Sequence, residues 1–174
     1  PVFDLIAATQ DWHPENHKSF ASNHKGKKPF ETVTMDGMEQ ILWPDHCVQE
    51  TAGALFHEQL DTKFIEAIFR KGMIPEIDSY SGFYDNGHRE TTGLAGYLRE
   101  KGAEDLYFCG LAADICVYYT ILDALKEKFK VNIITDAVKP LEQKEFSKQI
   151  EKFRSEGVTF LKAEGLGRTL RRLH

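Results

Sequence analysis

Short apolar runs alternate with amphipathic helical segments along most of this chain, and this alternation is what most limits its possible folds. A strand, a helix and a second strand in succession build a parallel sheet with helices on its faces. The runs that predict buried strands are residues 2–8, 64–69, 105–109, 131–135 and 158–161. The segments that predict helices are residues 91–101, 114–128 and 142–156, with Asp114 as the N-cap of the second. The predicted fold class is α/β, a three-layer doubly wound parallel sheet.

Composition excludes several classes of protein. A net charge of −5 over 174 residues gives no reason to expect nucleic acid or an anionic membrane as partner. No apolar run approaches the roughly 20 residues that span a bilayer. Three cysteines do not make a disulfide framework, which favours a reducing cytoplasm. We expect one cytoplasmic enzyme domain over residues 1–164, followed by a basic tail, 165–174, that is disordered or derived from the expression vector.

The first candidate site follows the first predicted strand. Asp11 and His13 lie two residues apart, so an extended backbone points both side chains the same way. His46 belongs to a long segment with little periodicity, residues 14–60, and completes a three-ligand set with open positions. One carboxylate and two imidazoles suit a divalent metal, with zinc first and iron or manganese as alternatives. His17 is left open as a fourth ligand, a supporting residue or a structural hydrogen-bonding group.

The second candidate site is a thiol between a strand and a helix. Cys116 follows the strand at 105–109 and the small residues of 110–113, where exposed N–H groups and the helix dipole favour a thiolate and hold an oxyanion. Lys71 ends the strand at 64–69, so it shares the carboxyl edge of the sheet and there favours the thiolate or stabilises developing negative charge. Cys47 and Cys109 lack this setting and are interpreted as structural.

Four segments in a fixed order resemble a known family. They are residues 8–14 (Ala-Thr-Gln-Asp-Trp-His-Pro), 43–48 (Trp-Pro-Asp-His-Cys-Val), 69–72 (Phe-Arg-Lys-Gly) and 110–117 (Gly-Leu-Ala-Ala-Asp-Ile-Cys-Val). On these segments the chain resembles the isochorismatase-like cysteine hydrolase family over nearly its whole length. The segment 78–86, Asp-Ser-Tyr-Ser-Gly-Phe-Tyr-Asp-Asn, is similar to the nicotinamidase branch of that family. Isochorismatases proper lack a cysteine where Cys116 stands.

The resemblance implies an activity and a role for each residue. It implies an amidohydrolase that converts nicotinamide to nicotinate and ammonia through a cysteine thioester, in NAD salvage. Cys116 would be the nucleophile and Lys71 a member of the catalytic triad. It further implies metal ligands at Asp11, His13 and His46, an oxyanion hole from the N–H groups of Ala112 and Cys116, a cis peptide at Leu111–Ala112, and a substrate pocket lined by Trp43 and Tyr80.

One feature of the family is not found in this sequence. The family's first strand ends in an Asp-x-Gln-x-Asp-Phe motif that supplies the triad carboxylate, and these 174 residues do not contain it. In the family's strand order, 3-2-1-4-5-6, that strand lies between the strands predicted here at 2–8 and 105–109. We therefore expect an N-terminally incomplete domain without strand 1, in which these two strands are not neighbours. A missing N-terminal segment or a second chain would fill the slot, and an oligomer is possible.

Two alternatives to nicotinamide hydrolysis stay open at this point. The first is a related cysteine amidase that acts on another small amide. The second is a metal-binding homologue without catalytic activity, which the missing carboxylate favours and the intact Lys71, Cys116 and metal ligands oppose. On the same ground, we expect that these 174 residues alone can be inactive.

Overall fold

The computed structural model describes residues 2–35 and 37–170, apart from the side chains of 167–170. These residues form two compact units, which are described separately. The N-terminal unit is Ile6–Thr92, and the C-terminal unit combines residues 2–5 with residues 93–170. In the described part of the chain, no helix has both the length and the apolar character needed to cross a membrane.

The N-terminal unit is built on one parallel pair of strands. Strand β1 (Ala7–Asp11) pairs with β4 (Ala67–Lys71), and the register sets Asp11 opposite Lys71. Between them lies an antiparallel hairpin of β2 (Thr32–Met35) and β3 (Met38–Ile41), with a few short 3₁₀ turns. Because the two strands are parallel, Asp11 at the end of β1 and Lys71 at the end of β4 lie side by side at the same edge of the sheet.

The C-terminal unit has three parallel strands in the order β5 (Asp105–Leu111), β6 (Lys130–Lys139) and β7 (Thr159–Leu161). Its helices are α1 (Leu94–Glu100), α2 (Cys116–Lys126), α3 (Gln143–Ser155) and α4 (Ala163–Leu170). Helix α2 buries Val117, Ile121 and Ala124 at helical spacing, and α3 buries Phe146 and Phe153. Central strand β6 is paired on both sides, and its residues 131–134 are buried.

The first two predicted strands were placed too early in the sequence. The predicted strand 2–8 begins at Ala7 and continues to Asp11, and the predicted strand 64–69 begins at Ala67 and continues to Lys71. Residues 62–64 form a 3₁₀ turn instead. Apolar periodicity stops at the first polar side chain, whereas the backbone ladder continues through the polar residues that end each strand.

The prediction that Asp114 caps α2 was wrong. The helix begins at Cys116, and no side chain caps it. The Asp114 carboxylate instead accepts the backbone N–H groups of Leu141 and Glu142, at 2.9 and 2.8 Å, next to the start of α3. Sequence spacing indicated an acceptor at a helix start and assigned it to the wrong helix.

The predicted tail overlaps a helix that the sequence did not indicate. Residues 165–170 belong to α4, and Leu166 is buried. The interpretation of 165–174 as a disordered or vector-derived tail stays a prediction. The remaining part of the predicted tail, 171–174, lies outside the described residues.

The predicted separation of two strands agrees with the pairing. Among the described residues, β1 pairs only with β4 and β5 pairs only with β6. Neither strand is buried on both faces, contrary to the prediction: Thr9 and Cys109 are exposed, and Leu111 is among the most exposed apolar residues. A strand with one partner leaves part of its surface uncovered. That another segment or a second chain fills the slot stays a prediction.

Candidate active site

A buried ion pair joins the ends of β1 and β4. The Asp11 Oδ1 and Lys71 Nζ atoms are 2.5 Å apart, and Lys71 is only 4% exposed. The ammonium also donates a hydrogen bond of 2.7 Å to the Ser79 carbonyl. Burial acts to raise the pKa of Asp11, but the neighbouring Lys71 charge and hydrogen bond, with His13 and His46, hold that pKa below its usual value. Asp11 is therefore ionised at neutral pH.

The backbone of His13 is held by two hydrogen bonds to the segment that contains His46. Its N–H donates to the Cys47 carbonyl at 3.0 Å, and its carbonyl accepts from Gln49 at 2.8 Å. These bonds hold the segment containing His46 beside the end of β1. The ring Nδ1 donates to the Gly72 carbonyl at 2.8 Å, so its Nε2 carries the lone pair.

Gly72 makes room for the His13 ring. Its φ is +65°, and a Cβ built there would lie 2.3 Å from His13 Cε1. No real Cβ tolerates that separation, so only glycine fits beside this imidazole. The dipeptide Lys71-Gly72 therefore contacts both the last residue of β1 and the histidine just after it: Lys71 pairs with Asp11, and Gly72 leaves room for the His13 ring.

His46 completes the group that the sequence predicted. Its Nδ1 donates to the Pro44 carbonyl at 2.8 Å, which leaves Nε2 as the lone-pair nitrogen here too. The His13 and His46 rings are 4.9 Å apart, and Phe20 lies edge-on to both at 5.5 Å. One ligand atom each from Asp11, His13 and His46 lies within 4.8 Å of the other two.

This arrangement fits a divalent metal by its donor chemistry. Two imidazoles have their Nδ1 hydrogens engaged with backbone carbonyls, which is the usual support of metal-binding histidines. Burial lowers the pKa of His13, against the raising effects of the Asp78 and Asp11 carboxylates, so its ring is neutral at neutral pH. A neutral imidazole is the form that binds a metal.

His17 belongs to a different buried group. Its Nδ1 lies 2.7 Å from Ser19 Oγ and accepts the Ser19 N–H at 3.2 Å, which leaves the hydrogen on Nε2. Its ligand atom groups with those of His13 and Asp78 rather than with Asp11 and His46. Burial lowers the pKa of His17 to about 4. Metal binding at Nε2 would only move that hydrogen to Nδ1, so the role of His17 stays a prediction.

Trp43 and Tyr80 form an aromatic pair on the same unit. The Trp43 indole Nε1–H donates to the Tyr80 hydroxyl at 3.1 Å, and the two rings are 6.1 Å apart and nearly perpendicular. The buried Gln40 side chain donates to the same hydroxyl at 3.0 Å and to Asp78 at 3.1 Å. Their predicted place in a substrate pocket stays a prediction, and the structure adds that hydrogen bonds join the pair to each other and to Gln40.

Cys116 lies in the C-terminal unit, at the first residue of α2. The Leu111–Ala112 peptide bond is cis, as the resemblance implied. The Ala112 carbonyl accepts the N–H groups of Ile115 and Val117, at 3.2 and 3.0 Å, and closes the turn around the half-buried thiol. This is the strand–turn–helix setting that the sequence predicted. The roles of Cys116 as nucleophile and of Ala112 and Cys116 in an oxyanion hole stay predictions.

Sequence reasoning did not single out three residues that shape the candidate site. Gly72 follows a lysine at a strand end, and only the position of the His13 ring shows that this residue must be a glycine. Asp78 and Gln40 are polar residues that the fold buries beside the candidate ligands and the aromatic pair. The signal for Asp78 was present in the quoted segment 78–86, but no periodicity marks it as buried.

Comparison with known proteins places the chain in a family. The isochorismatase domain model matches residues 8–165. The nicotinamidase of Acinetobacter baylyi is 49% identical over 140 residues, which are 80% of this chain and 65% of that protein. The nicotinamidase of Escherichia coli is 50% identical over 133 residues, 76% of this chain and 62% of that protein. The chain therefore spans less than two thirds of the length of these two curated relatives.

Solved structures agree with this placement. A nicotinamidase and pyrazinamidase of Acinetobacter baumanii is 43% identical with a TM-score of 0.90, covering 95% of this chain and 80% of that one. A structure from L. infantum in complex with nicotinate is 38% identical with a TM-score of 0.80, covering 93% and 73%. The pyrazinamidase of Pyrococcus horikoshii in complex with zinc is 37% identical with a TM-score of 0.72, covering 91% and 75%. The chain belongs to the isochorismatase domain family and has its α/β fold.

Proposed function

We propose that the full-length protein is an amidohydrolase that converts nicotinamide to nicotinate and ammonia. The observation that carries the proposal is the presence, on one compact unit, of a metal-ligand group and an aromatic pair. The substrate needs both, because a pyridine nitrogen is a metal ligand and its flat ring packs against aromatic side chains. The similarity to curated nicotinamidases supports the same activity.

We assign the metal to Asp11, His13 and His46. When bound there, a divalent metal would act as a Lewis acid that anchors the pyridine nitrogen and orients the carboxamide. Three protein ligands leave coordination positions open, as catalytic sites require. Zinc is the first candidate for its identity, supported by the zinc complex of the P. horikoshii relative, with iron or manganese as alternatives.

We assign the chemistry to Cys116. Its thiolate attacks the carboxamide carbon, and the carbonyl electrons move onto oxygen, where the N–H groups of Ala112 and Cys116 would hold the oxyanion. The carbon–nitrogen bond then breaks, and the nitrogen leaves as ammonia after it takes a proton. Water attacks the remaining thioester, which releases nicotinate and restores the thiol. Lys71 would stabilise the negative charge that develops in both halves of the reaction.

The proton transfers need an acid–base group. The family resemblance assigns that role to the carboxylate of the Asp-x-Gln-x-Asp-Phe motif, which is not among these 174 residues. Asp11 is not a substitute in this proposal, because it is paired with Lys71 and serves as a metal ligand. We therefore propose the activity for the full-length protein, acting in the cytoplasm in the recycling of nicotinamide toward NAD.

Ammonia release from nicotinamide, with nicotinate identified by chromatography, tests the proposal. We expect Cys116→Ala to reduce the rate at least about a thousandfold, because the covalent step is lost. Cys109→Ala, at an exposed position in β5, is the matched control and should keep the activity. Benzamide has the same ring shape without the ring nitrogen, so we expect it to bind far more weakly. Full activity of Cys116→Ala would refute the proposal.

Dialysis against a chelator tests the assigned metal role. We expect activity to be lost and to return with stoichiometric zinc, iron or manganese, and metal analysis of the untreated protein identifies the natural ion. A metal-free preparation with full activity would contradict the assigned anchoring role while leaving the role of Cys116 standing.

A further inference from the structure

Phe30 is an aromatic residue that the assigned site does not yet use. Its side chain is 68% exposed, so most of the ring is accessible to another molecule. Its backbone has a φ of +72°, in the left-handed region that bulky residues rarely adopt. A bulky residue kept in this region carries a local backbone strain. Such outliers concentrate at ligand-binding sites.

The backbone around Phe30 is held in place rather than loose. Its N–H donates to the Leu42 carbonyl at 2.6 Å, and the Leu42 N–H donates to the Glu31 carbonyl at 2.8 Å. Leu42 is fully buried and directly precedes Trp43. The two hydrogen bonds therefore set the position of the Phe30 ring relative to Trp43.

The ring of Phe30 meets Trp43 edge to face. The ring centroids are 6.0 Å apart and the planes are 88° from parallel. Trp43 is in turn perpendicular to Tyr80. Phe30, Trp43 and Tyr80 form a continuous aromatic wall, with Phe30 as its exposed end and the hydrogen-bonded Trp43–Tyr80 pair as its fixed part.

This wall is tied to the candidate metal ligands through the backbone. Trp43 and Phe20 form an isolated parallel β-bridge. The Trp43 N–H donates to the Ser19 carbonyl, and the Trp43 carbonyl accepts the Ala21 N–H. The Phe20 ring packs on His13 and His46. The wall and the candidate metal ligands are therefore connected by backbone and ring contacts within one compact unit.

We propose that Phe30 is a specificity-determining residue, which contacts the flat heteroaromatic ring of the substrate and becomes covered when that ring binds. The inference rests on the proposed function for the identity of the substrate. Phe30 touches no reacting atom in this proposal, so it contributes to binding and not to the chemical step. An aromatic contact of this kind changes affinity by about 3- to 10-fold.

Steady-state kinetics of three substitutions of Phe30 in the full-length protein test this. We expect Phe30→Ala to raise the KM for nicotinamide about 3- to 10-fold and to leave kcat within about twofold. Phe30→Gly should have the same effect while keeping the fold, because glycine adopts the left-handed backbone without strain. Phe30→Tyr keeps the ring and should retain the KM of the unmodified protein.

Phe64→Ala is the matched control. Phe64 is 57% exposed in the same unit, in a 3₁₀ turn, and makes none of these ring contacts with Trp43. We expect its replacement to change neither KM nor kcat. Unchanged KM in both Phe30→Ala and Phe30→Gly would overturn the inference, as would an equal fall in kcat, which would indicate a structural role.

Equilibrium dialysis with nicotinate separates this inference from the proposed function. If the unmodified protein releases no ammonia, the proposed function fails, and the dialysis still compares ring binding in the unmodified protein and Phe30→Gly. A weakening of about 3- to 10-fold in Phe30→Gly supports the wall. Equal binding of nicotinate by both, or no binding by either, overturns it.

Discussion

The ends of β1 and β4 and the turn before α2 carry the two halves of the proposed chemistry, and they are stabilised in different ways. At the strand ends, side chains hold one another: Asp11 faces Lys71, and His13 lies on Gly72. At the turn around Cys116, backbone hydrogen bonds stabilise the structure, because the Ala112 carbonyl accepts two backbone N–H groups.

This difference indicates where each region is vulnerable. Buried charges depend on their counter-charges, so the strand ends should respond strongly to substitutions that change charge and to pH. A turn closed by backbone bonds should respond little to pH and more to the loss of the side chains that anchor it. The predictions below test that contrast.

We expect Asp11→Asn to have the largest effect on stability. The substitution removes the charge that faces the buried Lys71 ammonium, and breaking a buried pair costs about 3–5 kcal/mol. Urea unfolding of the metal-free protein measures this. Asp105→Asn is the matched control, because Asp105 pairs with Lys130 across 3.4 Å at an exposed position. Its loss should cost about 0.5 kcal/mol or less, and equal losses would contradict the contrast.

The stability of the metal-free protein should fall in mild acid because of His17. Its pKa is about 4 in the folded protein and near 6.5 when unfolded. Between these values the unfolded chain binds the extra proton, so stability falls as pH decreases from about 6.5 to 4. The loss is at most about 3 kcal/mol. Urea unfolding across this range measures the free energy of unfolding at each pH. Its decrease with falling pH should be smaller in His17→Gln than in the unmodified protein, and equal decreases would exclude His17 as the cause.

We expect Gly72→Ala to disturb His13 specifically. The new Cβ would lie 2.3 Å from the imidazole, so the ring must move, at a cost of about 2 kcal/mol and 10- to 100-fold in metal affinity. Gly26→Ala separates the two causes, since Gly26 also has a positive φ but has no atom within 4 Å of the added Cβ. It should lose about 1 kcal/mol without any change in metal affinity. Equal metal affinity in both variants would contradict the role given to Gly72.

The sequence indicated much of the candidate site because the relevant residues end predictable elements. Asp11 and Lys71 are the last residues of two strands, and Cys116 is the first residue of a helix. The alternation of strands and helices was therefore enough to predict the elements that carry them. Family resemblance then supplied the roles and the cis peptide at Leu111–Ala112. What periodicity misjudged was where β1 and β4 end, because their last residues are polar.

Contacts between residues distant in sequence were beyond such reasoning. The fit of Gly72 against His13 joins positions 59 residues apart, and the Gln40 contact with Tyr80 spans 40. The β2–β3 hairpin was missed because its strands have four residues each, too few for a periodic pattern. The carboxylate of Asp114 was assigned to the nearest helix in sequence, whereas the fold brings the start of α3 to it.

Asp114→Ala should have the smallest effect on stability of the four and a clear effect on activity. The carboxylate is buried and accepts two N–H groups before α3, so its loss costs about 1–2 kcal/mol, like the loss of a helix cap. Asp114 lies two residues before Cys116, so the turn should shift when this anchor is lost. We expect kcat for nicotinamide to fall about tenfold or more, since small displacements of a reacting group are costly.

A second aspartate provides the control for Asp114. Asp136 also accepts a backbone N–H, from Ala163 at 2.9 Å, but it is exposed and lies within β6, 20 residues after Cys116. Asp136→Ala should lose less stability, because water replaces the carboxylate at an exposed N–H. It should also leave kcat unchanged. If both variants reduced kcat equally, the turn around Cys116 would not depend on its own anchor, and the contrast between the two regions would fail.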